Sequence, residues 1–230
     1  MLSILPIDTG RYGTKEMLDI FREQKKIDYQ LDIEAAAALS QSEIGLIPIS
    51  IARDISKIAK SGKITAKRIK QLEAKSDHDT AALVEALAEK CNKESRPWIH
   101  YGLTSNDLVD TSNSMQMRDA IKIIQPKVSK LSLILAKNAV KHKNVPAVGR
   151  THGQHASIIS FGLKFANWAA EMSTHLERLD EIKKRVLICK TLGVVGTGSL
   201  MGKNAVKVQE RVAKKLGLYS AKVTTQIIPR

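Results

Sequence analysis

The sequence has few cysteines, few aromatic side chains and no long apolar run. Two cysteines, Cys91 and Cys189, exclude a disulfide-stabilised scaffold and a four-thiolate zinc site. Aromatic residues make up 4% of the 230 residues, so aliphatic side chains must fill the core, and this composition favours packed helices over sheets. The longest uncharged stretches, around residues 151–163 and 191–202, are shorter than the roughly 20 apolar residues that a membrane span needs.

The N-terminal segment does not have the pattern of a secretory signal. Its first eight residues lack a basic stretch, and Pro6 and Asp8 interrupt the short apolar run. Hydrophobic residues make up 43% of the chain and charged residues 26%, the balance of a folded protein that is not disordered. We therefore expect a soluble, cytoplasmic protein with no membrane partner.

The formal net charge is +14 at pH 7. A strongly basic chain is consistent with a nucleic-acid partner, with a small anionic substrate or with a basic surface that is simply solvated. The lysines are spread along the chain, and aromatic side chains that could stack on bases do not alternate with them. The distribution of the lysines and the lack of aromatic residues among them make a nucleic-acid partner the less favoured interpretation. A basic helical nucleic-acid-binding protein stays open as an alternative.

Two segments have the apolar periodicity of long helices. Apolar residues recur in alternating steps of four and three from Met117 to Leu135 and, with His175 taking one position, from Phe161 to Cys189. The first seam contains no glycine, and the second contains none after Gly162. The pattern predicts long helices near Thr104 to Lys141 and Ala156 to Lys190, packed roughly antiparallel. Since two helices cannot bury such seams alone, other helices must cover them.

The remaining segments predict shorter helices. They span about residues 14–42, 50–60, 65–75, 79–92 and 203–216, and strand-like alternation is weak throughout. The predicted fold class is therefore all-α. We expect a small helical N-terminal domain over residues 1–103 and the first part of a long-helix bundle domain over residues 104–230.

Polar residues cluster where the helical pattern breaks. One cluster, Gly149 to Ala156, places two histidines, a threonine, a glutamine and an arginine at the predicted start of an apolar helix, more than a helix cap needs. A zinc site at His152 and His155 would lack a nearby carboxylate or cysteine ligand, so we predict no metal. A purely structural alternative for Asp77, Asp79 and Ser105 is that they cap the helices that follow them.

A glycine-rich segment over residues 193–203 has some likeness to a nucleotide-binding loop. Its spacing is one residue short of a phosphate-binding loop, Asn204 replaces the required hydroxyl, and a helix rather than a strand precedes it. We interpret it as a turn between helices and expect no cofactor.

Taken together, the polar segments resemble the adenylosuccinate lyase family of the fumarase/aspartase superfamily. The resemblance is carried by Arg11-Tyr12, His78-Asp79, the Tyr-Gly-Leu-Thr-Ser-x-Asp-x-Val-Asp-Thr pattern at 101–111, the Gly-Arg-Thr-His-Gly-Gln-His-Ala segment at 149–156, and Val195-Gly-Thr197. They occur in the family's order with similar gaps, over nearly the whole chain.

The resemblance implies an all-helical homotetramer in which a bundle of long helices forms the centre and three subunits build each active site. It also implies a lyase of purine biosynthesis that cleaves adenylosuccinate to AMP and fumarate. The second substrate would be succinylcarboxamide ribotide (SAICAR), which is cleaved to AICAR and fumarate. The implied reaction is an acid/base β-elimination on a small nucleotide substrate.

The resemblance also implies roles for individual residues. His152 matches the general acid, with His78 as the second catalytic candidate. The implied substrate-binding residues are Arg11, Tyr12, Asp79, Thr104, Ser105, Thr151 and Gln226. Histidine suits a proton donor because its ordinary pKa is about 6.5, but a helix N-terminus disfavours the imidazolium, so His152 would need an anionic neighbour there.

Two departures from the family pattern bear on function. Asp77 stands where the family often has a basic residue, and the family's mobile loop with the catalytic serine, Ser-Ser-x-Met-Pro-x-Lys-x-Asn, has no counterpart. We therefore expect an incomplete enzyme that lacks its C-terminal portion. Another member of the superfamily, such as argininosuccinate lyase, remains the alternative enzyme.

Overall fold

The computed structural model describes residues 12–229, so Arg11 lies outside the described residues. The chain divides into two compact units. Unit 1 combines residues 1–119 with 184–230, and unit 2 spans residues 120–183. These units are groupings of contacts within one chain, and the domain division at residue 104 stays a prediction.

The described chain is predominantly helical, which confirms the predicted all-α class. The helices are α1 (Lys15–Phe21), α2 (Glu23–Ser42), α3 (Ile49–Ala59), α4 (Ala66–Ser76), α5 (Asp79–Ala88), α6 (Ser105–Lys141), α7 (Phe161–Val186) and α8 (Ala205–Leu216). Short 3₁₀ turns occupy Lys93–Trp98 and Ser199–Asn204. The strands are β1 (Pro146–Thr151), β2 (Gln154–Ser160), β3 (Ile188–Cys189) and β4 (Tyr219–Ser220).

Local capping explains where the N-terminal helices begin. The Thr14 and Thr65 hydroxyls accept hydrogen bonds from N–H groups in the first turns of α1 and α4, as the sequence predicts. Helix α3 instead begins one residue before Ser50, after Pro48. The predicted helix over 14–42 is interrupted at Arg22, whose extended backbone separates α1 from α2.

The core of unit 1 is built around α2. This helix is buried on most of its surface because it packs on α3 and α8, while α4 packs on α5. Its residues 35–38 are four buried alanines, which let neighbouring helices approach closely. The largest fully buried apolar side chains in the described part of unit 1 are Tyr29, Ile33, Ile55, Leu83, Leu87, Leu108, Val208 and Val212.

Unit 2 is an antiparallel pair formed by α7 and the part of α6 from residue 120 onward. The Gln125 amide donates to Asp180 at 2.7 Å, and the Ser132 hydroxyl donates to the Ala169 carbonyl at 3.3 Å. From the first contact to the second, the residue number rises on α6 and falls on α7, so the two helices run in opposite directions. This confirms the predicted antiparallel packing. The two helices approach each other closely at Gly162, where a Cβ atom would collide with backbone atoms at and just after the end of α6.

The region before α7 is a β-hairpin and not the predicted start of the second long helix. Strands β1 and β2 pair antiparallel from Pro146–Ser160 to Thr151–Gln154, so the predicted helix over residues 156–160 is wrong and α7 begins at Phe161. His152 and Gly153 form the two-residue turn, and both have positive φ, as a type I′ turn requires.

The glycine-rich segment lies between β3 and α8, which agrees with its interpretation as a turn. Strand β3 pairs in parallel with β4, which follows α8. Within residues 12–229, no helix is both long and apolar enough to cross a membrane.

Candidate functional site

A cavity of about 380 Å³ lies at the N-terminus of α6 in unit 1. It brings together three residues that the sequence singles out, His78, Thr104 and Ser105, and adds His100. Its remaining wall is formed by Thr80, Ala81, Val84 and Leu103. Side chains that are distant in sequence therefore meet because the start of α5, the turn at residue 100 and the start of α6 converge.

The start of α6 is shaped by a reciprocal cap. The Asp107 N–H donates to the Thr104 carbonyl at 2.9 Å, while the Asp107 carboxylate accepts the Thr104 N–H at 3.0 Å. Ser105 is the first helical residue and Thr104 precedes it, so the expectation of a Ser105 cap gives way to a cap built by Asp107. This arrangement fixes Thr104 and Ser105 at the positive end of a 37-residue helix.

Asp107 also connects the helix start to the glycine-rich segment. Its carboxylate forms an ion pair with the Lys190 ammonium and accepts the Gly193 N–H at 2.9 Å. The Lys190 ammonium in turn donates to the Gly193 carbonyl at 2.9 Å. Asp107 belongs to the sequence motif at 101–111, but no role was predicted for it. An acidic residue three positions after a threonine is nevertheless a recognisable capping signal.

His78 is the N-cap of α5, a position for which the sequence suggested Asp77 or Asp79. Its Nδ1 accepts the Ala81 N–H at 3.2 Å, so its neutral ring carries the proton on Nε2. Asp77 instead ends α4 in the left-handed conformation. Asp79 is the first residue of α5 and lines a separate cavity of about 110 Å³ beside Lys70.

His100 is a cavity residue to which sequence reasoning gave no role. Its Nδ1 lies 2.6 Å from the Glu34 carboxylate, and its backbone N–H donates to the same carboxylate at 3.0 Å. Burial lowers the pKa of His100, but the hydrogen bond and charge of Glu34, together with the charge of Asp107, outweigh burial and raise it. The available signal for Glu34 is an acidic residue directly before the apolar run of residues 35–39 in α2.

The other predicted site residues lie outside this cavity. Tyr12 is exposed, and Thr151 and His152 are exposed in the hairpin of unit 2. Gln226 is exposed in the segment after β4, where the nearby Ile228 N–H donates to Asp110 at 2.8 Å. His152 lies at a hairpin tip and not at a helix N-terminus, so the expected penalty of a helix dipole on its imidazolium does not apply.

The cavity has the chemistry of an anion site. The hydroxyls of Thr104 and Ser105 and the first-turn N–H groups of α6 are donors, and a protonated His100 adds positive charge. These groups suit a carboxylate or a phosphate. In residues 12–229 no three His, Cys, Asp or Glu side chains are grouped so that they could hold a metal ion.

Comparison with known sequences gives a consistent result. Residues 10–229 match a protein family described as lyase. The chain is 44% identical over 229 residues to the adenylosuccinate lyase of Methanocaldococcus jannaschii, covering 100% of this chain and 49% of that protein. It is 39% identical over 229 residues to the adenylosuccinate lyase of Methanothermobacter thermautotrophicus, covering 100% and 51%. The chain therefore spans about half the length of the curated relatives it matches.

Solved structures share the fold. A fumarate lyase from Mesorhizobium sp. BNC1 superposes with a TM-score of 0.86 at 30% identity, covering 93% of this chain and 51% of that one. A 3-carboxy-cis,cis-muconate lactonizing enzyme from Pseudomonas putida gives a TM-score of 0.85 at 30% identity, covering 93% and 49%.

Proposed function

Because the chain belongs to the lyase family, we propose that it forms part of an enzyme of purine biosynthesis that cleaves adenylosuccinate to AMP and fumarate. The same enzyme would cleave SAICAR to AICAR and fumarate. The single observation that carries this proposal is the cavity in which Thr104 and Ser105 meet His78 at the start of α6. The alignment with adenylosuccinate lyases over the full length of this chain supports the proposal, because a succinyl group needs donors of the kind that line this cavity.

The reaction is a β-elimination. A base removes a proton from carbon, the carbon–nitrogen bond breaks, and an acid protonates the leaving nitrogen. Negative charge develops next to a carboxylate in the transition state, so the enzyme gains most by gripping that carboxylate with oriented donors. Thr104 and Ser105 supply such donors without adding a competing base.

The remaining roles are distributed over both units. His152 is the proposed general acid; it is exposed at the hairpin tip, and Thr151 lies beside it. Gln226 would bind the succinyl group, while Arg11, Tyr12 and Asp79 would contact the nucleotide. His78 lines the cavity and is the second catalytic candidate.

Binding measurements separate this proposal from its competitors. Calorimetric titration of the chain should detect adenylosuccinate but not argininosuccinate, and the double variant Thr104→Val/Ser105→Ala should weaken binding about tenfold or more. Thr65→Val, which removes a cap hydroxyl remote from the cavity, is the matched control. Binding of argininosuccinate instead would favour the other lyase. Tight DNA binding that falls steeply with salt would favour a nucleic-acid partner.

We also propose that four copies of the chain assemble through the helices of unit 2. Large apolar side chains on these helices are solvent-exposed in the single chain, including Leu133 at 62% and Val140 at 67%. Exposed apolar surface of this extent is typical of an interface. Sedimentation velocity should give a tetramer, and Leu131→Glu/Leu133→Glu should dissociate it while Lys130→Glu does not. A monomeric wild-type chain would contradict the assembly.

A further inference from the structure

Glu34 is a buried carboxylate that is not among the site residues predicted from the sequence. Its side chain is 2% exposed at the centre of α2, and both of its oxygens are directed to one residue, His100. A buried carboxylate is costly unless its oxygens are hydrogen-bonded. Here the backbone N–H and the ring of His100 satisfy one oxygen each.

The backbone of His100 adds a second, independent observation. Its φ is +61°, in the left-handed region, which is uncommon for residues other than glycine even though histidine enters it more often than most residues do. Such conformations persist only where surrounding contacts over-determine them. The two hydrogen bonds to Glu34 are such contacts, and they hold both the main chain and the ring of His100 in one orientation.

We infer that Glu34 is a positioning residue, which engages Nδ1 of His100 and so leaves Nε2 as the ring nitrogen that meets an anionic group of a ligand in the cavity. Among the described residues, the structure gives Nε2 of His100 no hydrogen-bond partner. The inference rests on the proposed function only for the identity of the ligand.

The neutral rings of the two cavity histidines are therefore held in opposite tautomers. Nδ1 of His78 accepts a backbone N–H, so its neutral ring carries the proton on Nε2. Nδ1 of His100 faces a carboxylate, so its neutral ring carries the proton on Nδ1. Charged groups that act on His100 come from two helices: Glu34 on α2, and Asp107 on α6 with its ion-pair partner Lys190. A protonated His100 can donate from Nε2, whereas its neutral form cannot.

The test is nuclear magnetic resonance of the histidine rings in the ¹⁵N-labelled chain, with pH varied between about 5 and 9. In the wild type, the neutral ring of His100 should carry its proton on Nδ1, and that of His78 on Nε2. In Glu34→Gln the side-chain amide can donate to Nδ1, so the pKa of His100 should fall and its neutral proton should move to Nε2. The position of the ring proton on neutral His78 should not change.

Glu23→Gln is the matched control, because it removes the same charge from an exposed position on the same helix. It should leave His100 unaltered. Circular dichroism establishes whether Glu34→Gln is folded. If the variant is unfolded, the position of the proton on neutral His100 in the wild type tests the inference. A wild-type neutral His100 protonated on Nε2, or a folded Glu34→Gln with an unchanged His100 pKa, would overturn the inference.

Two anions identify the ligand group. Fumarate is the dicarboxylate probe and AMP is the phosphate probe. Each is added at a pH below the pKa of His100, where the ring is protonated and can donate from Nε2. At least one should shift the Nε2 resonance, and Glu34→Gln should weaken that affinity about tenfold. If neither anion shifts Nε2, the assignment of the ligand-facing nitrogen is wrong. Failure of adenylosuccinate to bind would count against the proposed function alone, because the proton positions are measured without it.

Discussion

Asp107 and Lys190 form an ion pair in which both side chains are completely buried. The pair joins the first turn of α6 to Lys190, which lies 83 residues further along the chain and just before the glycine-rich segment. Since the same carboxylate also accepts the Thr104 N–H, the position of the cavity donors depends on this contact. The start of α6 is thus fixed before any ligand arrives, and such preorganisation is what electrostatic catalysis requires.

Removing one partner of this pair should be strongly destabilising. Lys190→Met leaves the Asp107 carboxylate buried without its counter-ion, and we expect a loss of about 3–5 kcal/mol in the free energy of unfolding. The measurement is urea unfolding of the purified chain. Lys70→Met, which breaks an exposed pair with Glu23, should cost less than about 1 kcal/mol.

The double variant Asp107→Asn/Lys190→Met distinguishes lost attraction from an uncompensated charge. It should recover part of the stability that Lys190→Met loses, because no buried charge remains. If Lys190→Met costs no more than Lys70→Met, then the pair does not anchor the start of α6.

The His100–Glu34 contact predicts a pH dependence of stability. The pKa of His100 is raised in the folded state, so the pair's contribution is fully present below the unfolded value of about 6.5. It is lost as pH rises through the folded pKa. The wild type should therefore lose more stability than Glu34→Gln between about pH 6 and pH 9, measured by urea unfolding at each pH. Equal slopes would exclude this contribution, and Glu23→Gln should retain the wild-type slope.

Gly162 predicts a packing effect in unit 2. A Cβ at this position would lie 2.9 Å from the Lys143 nitrogen and closer still to the Ala139 carbonyl, so Gly162→Ala must separate α6 from α7. We expect a destabilisation of about 2 kcal/mol or more by thermal or urea unfolding, although alanine is the better helix former. Glu177→Ala on the exposed surface of α7 should be nearly neutral. A stabilised Gly162→Ala would mean that the helices tolerate the added methyl group.

The sequence predicted the helices well because apolar periodicity reports which face is buried. It missed the hairpin, because Gly149 and the polar residues up to Ala156 interrupt any alternation. A His152-Gly153 pair between Val148 and Ile158 was the available signal for a two-residue turn.

The candidate site was only partly accessible to the sequence. Thr104 and Ser105 could be found from their motif, whereas Glu34 lies 66 positions from His100 and meets it only after folding. The capping role of His78 was equally hidden, because the more usual capping residues Asp77 and Asp79 flank it.

His152 should dominate the chemistry in a form of the enzyme that also carries the serine loop. His152→Ala should lower turnover of adenylosuccinate by roughly 10²- to 10⁴-fold, the range for a lost general acid. Substrate affinity should change much less, because Thr104 and Ser105 remain. His155→Ala in the same hairpin is the matched control and should retain most of the activity. Near-normal turnover of a folded His152→Ala enzyme would transfer the role of acid to His78.

The 230-residue chain itself should release little or no fumarate from adenylosuccinate. It has the candidate acid His152 and several binding groups, but its sequence has no counterpart of the serine-loop pattern. Acid and base act together in the elimination, so one without the other is ineffective. An assay of fumarate release on material of verified mass tests this, and robust release would mean that another group is the base.

Binding of the succinyl group at the start of α6 can be followed residue by residue. Adenylosuccinate should be titrated into the ¹⁵N-labelled chain while the amide resonances are followed. We expect saturable shifts at Ser105, Asn106 and the ring of His100, all lost in Thr104→Val/Ser105→Ala. Saturable binding with unchanged resonances at these positions would contradict it.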